Sequence, residues 1–475
     1  MKTVLASIVL LFLLGADQAL PDSLELPAVT HYDLKLRLMP DDEKLEATAK
    51  LRIKNHTPRD VNEIPLLLYR LLEVTKVTQD GAAIPFSQDI VKFPDQPTRQ
   101  INLITLKLPQ PLASGSSCAI ELGYSGWIYG YPEVEAYVKD RIDKQYALIR
   151  RDAFSYPILS TADAKSVHAT AESLFTFEVE ATVPSGYTIA CGGDLRESVP
   201  EKDWITFRYR KSEPTWRIDI ASSKFRVVRD EPNKLTVFAM EEDQQAAVRI
   251  LDAMKRATAF YTKMFGPLKN FEGYTAIEIP DGWGSQAGDG YFLQTAAAFK
   301  DPSRIQEVFH EVAHSWNIEP KREVQRARWF DEAFASYFES LSVREYQGQK
   351  EFEAYMEKSR ALFIQWGEYD KKNFDTPIVD YGKYEIGQNS YTKGAWSLYV
   401  LHRLIGEEKF RELIRTLRAQ FEEKQADFHD FQNAAEKIAG RSLATYFEEW
   451  FYGVESSRLM ADKIAVDEMV KRYVE

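Results

Sequence analysis

The sequence predicts a multidomain chain of α and β structure: an N-terminal antiparallel β-sandwich-like domain, followed by a mostly helical one. Three observations carry this. The length of 475 residues corresponds to two or three domains at roughly 150 residues each. Apolar residues make up 44% and aromatics 13%, enough for complete cores and inconsistent with a disordered chain. The apolar pattern changes its period from two to that of a helix near residue 240.

In chain order, Lys2 precedes an apolar run from Thr3 to Gly15, and small residues follow at Ala16 and Ala19. A basic start, a short apolar stretch and a small-residue exit predict a secretory signal peptide over 1–19. The run is shorter than the roughly 20 residues that a membrane span needs. Residues 20–228 then read as the β domain. HYDLKLRLMP, LEATAKLRIKN, ITLKLPQPL, CAIELGYSG, LFTFEVEATVP, DWITFRYR and TWRIDIASS alternate apolar and polar side chains between turn residues, the pattern of half-buried strands. Residues 229–455 form the second domain. Helical periodicity covers 244–265, 303–317, 330–347, 350–366, 389–404, 407–423, 427–438 and 442–451, with strand-like YTAIEIP and GYFLQTAAAF between the first two. Residues 456–475 read as one charged helix or a loose tail.

The chain holds 60 basic and 72 acidic side chains, a formal charge of −12. That balance argues against a nucleic-acid or anionic-membrane binder, which needs a basic face. An exported destination permits a disulfide between Cys118 and Cys191, the two cysteines present. Two separately buried thiols fit equally well.

The chemistry-bearing stretch is QEVFHEVAHSW, with His310, Glu311 and His314. Two histidines four apart lie on one helix face, one turn from each other, and both can reach one zinc ion. Glu311, beside the first, can take the proton of a metal-bound water. A catalytic zinc needs a third protein ligand and an open position. WFDEAFASYFE offers Glu332, a carboxylate amid apolar residues, with Asp331 as its rival. Glu339 lies two turns further along. It is either a partner for a ligand histidine or, as is usual for Glu, an exposed helix carboxylate.

HEVAH followed by WFDEAFASYFE resembles the zinc aminopeptidases of the membrane alanyl aminopeptidase and leukotriene hydrolase type, a gluzincin family. Their pattern places eighteen residues between HExxH and the ligand Glu; here seventeen separate His314 from Glu332. Ser390-Tyr391-Thr392-Lys393-Gly394-Ala395 resembles the family's Tyr-x-Lys-Gly-Ala segment. VEATVPSGY and DFQNAAEKIAGRSLATYFEEWFYG extend the likeness over about residues 25–455. The resemblance implies a thermolysin-like zinc peptidase domain and one zinc ion on His310, His314 and Glu332. It further implies Glu311 as general base and Tyr391 as the hydroxyl at the oxyanion, with Tyr381 and Tyr384 as nearby competitors.

The departures bear on substrate choice. The family's Gly-x-Met-Glu-Asn strand, whose Glu grips the substrate amine, aligns with Gln286-Ala287-Gly288-Asp289-Gly290. Asp289, with Gly288 beside it, is then the expected substrate-binding residue. Arg150 and Arg151 stand near the family's amine-pocket pair. They would repel an amine, pair with Asp289, or lie on the surface. The large helical C-terminal domain of many relatives has no counterpart in this sequence, so a more open cleft is expected.

The functional expectation is an exported metallopeptidase, secreted or periplasmic, acting on peptide substrates and releasing N-terminal residues. It has no nucleic-acid partner and no stable membrane insertion after signal removal; its oligomeric state is left open. The alternatives are a zinc peptidase of endo- or altered specificity and a non-catalytic zinc-stabilised binding protein on the same scaffold.

Overall fold

A computed structural model describes residues 26–131, 138–170, 173–269, 271, 273–421 and 424–474. The signal-peptide stretch lies outside the described residues. The chain divides into two compact units. The first holds the residues up to Val228 together with Thr236–Ala247 and Thr275–Ala296; the second holds Arg229–Leu235, Val248–Tyr274 and Ala297–Glu475.

The alternating runs of the first unit form strands for the reason the sequence suggests. In Ala28–Met39, Tyr32, Leu34, Leu36 and Leu38 are buried while Lys35 and Arg37 between them are exposed. Lys44–Lys54 pairs with it antiparallel, setting Leu34 opposite Ala49 and Tyr32 opposite Leu51, so the apolar sets of both strands share one face. An eight-stranded sheet results, in the order Asp194–Glu201, Trp204–Thr215, Phe175–Pro184, Ala28–Met39, Lys44–Lys54, Ser117–Trp127, Leu72–Gln79, Ala82–Ala83. One pairing is not antiparallel: Ala28–Met39 runs parallel to Phe175–Pro184, with Leu34 opposite Val179. Alternation fixes the buried face of a strand but not the direction of its neighbour.

A four-stranded sheet (Ile158–Leu159, Val61–Tyr69, Gln100–Leu112, Phe86–Lys92) packs against it. Leu34, Leu51 and Ile120 of the first sheet share one core with Ile64, Leu66, Ile104 and Leu106 of the second. This is the expected sandwich. Cys118 sits in the eight-stranded sheet and Cys191 in a separate three-stranded one. Both are buried free thiols, pushed up by burial to about 11 and about 12 respectively. They are not joined.

The second unit is helical. Gln244–Phe265, which leads into it, buries Ala247, Ile250, Ala253, Met254, Ala257, Tyr261 and Met264 at three- and four-residue spacing. The helix expected from 303 starts at Gln306, because Asp301 caps a separate turn at Pro302–Arg304 by accepting from the Ser303 N–H at 2.9 Å. Phe334–Gln347, Gln349–Tyr369, Lys393–Ile405, Glu407–Phe421 and Phe428–Ala439 follow. The last opens with a reciprocal capping box between Asp427 and Asp430. The end of the chain is neither one helix nor a loose tail. Two short helices, Glu455–Ala461 and Val466–Lys471, dock through buried Met460, Met469 and Tyr473. Among the described residues no helix is long and apolar enough to cross a membrane.

Candidate metal centre and its surroundings

His310 and Glu311 ride on the helix Gln306–Ala313, whose Val308, Phe309, Val312 and Ala313 are buried. Two tyrosines fix its height: Tyr261 donates to the Phe309 carbonyl at 3.1 Å and Tyr274 to the Glu311 carbonyl at 3.2 Å. The helix tightens into a 3-10 turn at His314–Trp316, and the chain then extends at Asn317. Glu332 comes from a wide π turn, Trp329–Ala333, that opens the helix Phe334–Gln347. Such wide turns recur where a helix must re-aim a functional side chain.

These elements converge on one point. His310 Nε2 lies 3.2 Å and His314 Nε2 3.8 Å from the same oxygen, Glu332 Oε2. One ligand atom from each residue lies within 4.8 Å of the others. The opposite nitrogens are held by carboxylates. Glu339 Oε2 is 3.1 Å from His310 Nδ1, and Asp331 Oδ1 is 2.7 Å from His314 Nδ1. Asn317 Nδ2 donates to the same Asp331 oxygen at 3.0 Å. Carboxylates at Nδ1 leave the Nε2 lone pairs turned inward, the arrangement of histidines that ligate a metal. Two such nitrogens and one carboxylate oxygen fit a single zinc ion with room for a further ligand.

Asp331 thus supports a histidine, and Glu332 is the third candidate ligand. Glu339 is 7% exposed, so the expectation of a solvated carboxylate fails. The seven-residue step from Glu332 returns it to the same helix face, over His310. Tyr355, from the next helix, donates to its other oxygen at 2.5 Å. Against the burial that works to raise it, Arg328 and the two histidines hold Glu332 below the usual carboxylate range.

Glu311 is also buried, and its Oε2 has no hydrogen-bond partner among the described residues. Burial pushes its carboxyl up to about 7. Tyr391 stacks on His310 with ring centroids 5.8 Å apart and planes 10° from parallel. Its hydroxyl donates to Glu332 Oε1. Of its competitors, Tyr381 is fully buried and Tyr384 is exposed on the surface. Arg328 also donates to Glu332 Oε1. Its contact spans a single turn, but nothing in its spacing signals a role.

Gly288 and Asp289 belong to the other unit. Gln286–Gly288 pairs antiparallel with Tyr291–Thr295 through a two-residue turn of Asp289 and Gly290, the latter at φ 82°. Gly288 is required there: a Cβ would stand 2.4 Å from the Tyr291 ring. Asp289 is exposed at the turn, and its carbonyl accepts from Lys211 Nζ at 3.0 Å. The expected relation between Asp289 and the arginines does not form. Arg150 is fully buried and donates to Asp140 at 2.8 and 2.9 Å and to Gln286 Oε1 at 3.0 Å. Arg151 is buried against the Val167 carbonyl and Thr170. Arg217 joins Asp219, Asp152 and Gln286, and Asp219 accepts from Tyr291 at 2.5 Å. Three acids, Asp140, Asp152 and Asp219, together with the Gln286 amide, hold Arg150 and Arg217, and no local pattern could have shown that.

A His pair on one helix and one carboxylate from the π turn that opens a later helix form a cluster that could hold a single metal ion. Residues 292–450 match the peptidase family M1 domain, and this matched stretch holds all three candidate ligands. Over 471 residues the chain is 21% identical to glutamyl aminopeptidase of Rattus norvegicus, covering 91% of this chain and 47% of that one. Over 287 residues it is 24% identical to probable aminopeptidase 2 of Sulfurisphaera tokodaii, covering 54% and 35%. The chain therefore spans half or less of the length of these relatives. In three dimensions it is similar to an M1 zinc metallopeptidase from Deinococcus radiodurans, with TM-score 0.61, 16% identity and coverage of 92% and 94%. It is also similar to yeast LTA4 hydrolase, with TM-score 0.65, 15% identity and coverage of 90% and 68%.

Proposed function

We propose that this protein is an exported zinc metallopeptidase that releases N-terminal residues from peptides. The observation that carries the reading is the convergence of His310, His314 and Glu332 on one point, with the unpartnered buried oxygen of Glu311 one residue from His310. His310, His314 and Glu332 would hold a zinc ion, which would supply Lewis-acid polarisation of the scissile carbonyl and acidify a water. Glu311 is placed to accept a proton from the attacking water on its carboxylate and to return it to the departing amine nitrogen, a role that leaves Oε2 without a structural partner. Tyr391 donates its hydroxyl hydrogen bond to the oxygen on which charge accumulates. A phenol suits this because it stays neutral at pH 7 while donating. From its alignment with the family's Glu, Asp289, with Gly288 beside it, is the residue we assign to the substrate's α-amine.

A peptidase of internal specificity is the second reading, favoured by the shorter Asp289 where relatives have Glu. A purely structural zinc site is disfavoured by Glu311, since burying a carboxylate oxygen without a partner destabilises a fold. The test uses two identical peptides, one N-acetylated, each incubated with zinc-loaded protein and with its Glu311→Gln variant and followed by mass spectrometry. Stepwise loss of residues from the free peptide alone supports the proposal. Internal cleavage of both supports the second reading. Cleavage that persists in Glu311→Gln removes the assigned mechanism.

A further inference from the structure

Arg328 is a non-ligand that closes over the metal centre. It stands directly before the π turn at φ 56° and ψ 16°, a left-handed conformation that strains a side-chain-bearing residue. Its carbonyl accepts the Glu332 N–H at 2.8 Å, so the strained residue begins the turn that delivers Glu332. Its side chain then folds back over the same carboxylate. NH2 donates to Glu332 Oε1, and to Asp331 Oδ2 at 3.3 Å. The guanidinium carbon lies 5.6 Å from the centre of the Tyr391 ring.

The neighbouring loop is built to hold it there. A Cβ on Gly387 would stand 3.1 Å from Arg328 Cγ, 3.3 Å from its Cδ and 2.9 Å from the Arg326 carbonyl oxygen. Glycine at 387 thus lets the backbone press on the arginine's stem. Ser390 donates to the Ala327 carbonyl at 2.7 Å and pins the chain one residue earlier. As a result the two oxygens of Glu332 have different tasks. Oε2 faces both histidine Nε2 atoms, while Oε1 is taken by Arg328 and Tyr391. Tyr391 gives one hydrogen bond and can turn away toward substrate. The arginine is anchored at both acids through one guanidinium nitrogen and cannot do so as freely.

We propose that Arg328 is a positioning residue of the metal centre, locking Glu332 Oε1 so that Oε2 alone is offered to the ion. The inference rests on the reading of His310, His314 and Glu332 as the ligand set. It implies that zinc retention depends on a residue that never touches zinc. Partners of metal ligands typically contribute about 10–100-fold in affinity.

The experiment measures zinc affinity of the full chain by competition with a fluorescent chelator, and the visible spectrum of the cobalt(II)-substituted protein. Arg328→Gln is expected to bind zinc at least tenfold more weakly and to shift the cobalt bands, which report the number of ligand atoms. Arg328→Lys, which keeps the charge without the planar guanidinium, is expected to recover part of the affinity. Gly387→Ala, which displaces the stem and removes no charge, is expected to fall between wild type and Arg328→Gln. It also carries the test if Arg328→Gln does not fold. Equal or tighter zinc binding by Arg328→Gln, with unshifted cobalt bands, overturns the proposal while leaving the ligand set intact. A wild-type chain that binds no zinc overturns the ligand set and the proposal together.

Discussion

Glu339 Oε2 lies 3.1 Å from His310 Nδ1, and the other oxygen of the same carboxylate accepts from Tyr355 at 2.5 Å. Three helices thereby contribute to the aim of one imidazole: His310 from Gln306–Ala313, Glu339 from Phe334–Gln347 and Tyr355 from Gln349–Tyr369. Glu339→Gln keeps the shape of this chain but replaces a charged acceptor by a neutral one. Zinc affinity is expected to fall by about tenfold or more. Tyr355→Phe should have a smaller effect in the same direction, because it frees Glu339 without removing it. Chelator competition on both variants checks the order. A Glu339→Gln protein with wild-type affinity would show that the carboxylate does no more than fill the helix interface.

Glu311→Gln separates binding from chemistry. The side chain contributes no ligand atom to the cluster, so zinc content should be unchanged. Hydrolysis should drop by about 10²–10⁴-fold, the range for loss of a positioned general base. The amide also removes a buried carboxylate whose oxygen lacks a partner, so the variant is expected to unfold at a temperature no lower than wild type. Metal analysis, peptide turnover and calorimetry on one preparation test the three statements. Loss of zinc together with activity would mean that Glu311 serves the metal and not the water.

Tyr391→Phe removes a hydroxyl that bonds Glu332 Oε1 while keeping the ring stacked on His310. A group that stabilises only the charged intermediate lowers kcat and leaves KM nearly unchanged. The expected loss is on the order of 10²-fold in kcat, as for other single donors at an oxyanion. If Tyr391 acted only by holding Glu332, the variant would lose zinc affinity and regain its rate at saturating zinc. Steady-state kinetics across a zinc titration tells these apart.

The sequence carried the parts of this molecule that depend on short-range pattern. Strand faces followed from alternation, as in Tyr32, Leu34, Leu36 and Leu38. The helix Gln244–Phe265 followed from its apolar spacing. The His pair followed from one turn of helix. Residues whose meaning depends on distant partners were not legible. Glu339 reads either as a partner of a ligand histidine or as an ordinary helix acid, and only its placement beside His310 and Tyr355 decides between the two. Arg150 reads as a group near a substrate amine, a partner of Asp289 or a surface charge, until Asp140 and Gln286 are seen to enclose it. Arg328 gives no signal because its role arises from a left-handed backbone conformation and a glycine 59 residues later. The parallel pairing of Ala28–Met39 with Phe175–Pro184 was hidden for the same reason, since pattern defines faces and not neighbours.

Lys393 leads to a stability prediction with a definite sign. It begins the helix Lys393–Ile405, two residues after Tyr391, and is 0% exposed, with its Nζ 2.9 Å from Ser457 Oγ. Burial lowers its pKa from 10.5 to about 7. Below pH 7 both folded and unfolded chains hold the proton, and the native state bears the full cost of a buried ammonium. Between pH 7 and about 10.5 the native amine is neutral while the unfolded chain still binds a proton. Stability rises with pH wherever the unfolded state holds more protons, so this cost shrinks across that window and vanishes above it. At about 1.4 kcal/mol per pKa unit the full effect is on the order of 3–5 kcal/mol. Lys393→Met, which fills the same space without a charge, is therefore expected to be more stable than wild type at pH 6.5. The advantage should narrow by pH 9.5. Urea unfolding of both proteins at the two pH values measures it. An advantage of equal size at both would place the lysine's cost in packing and not in its proton.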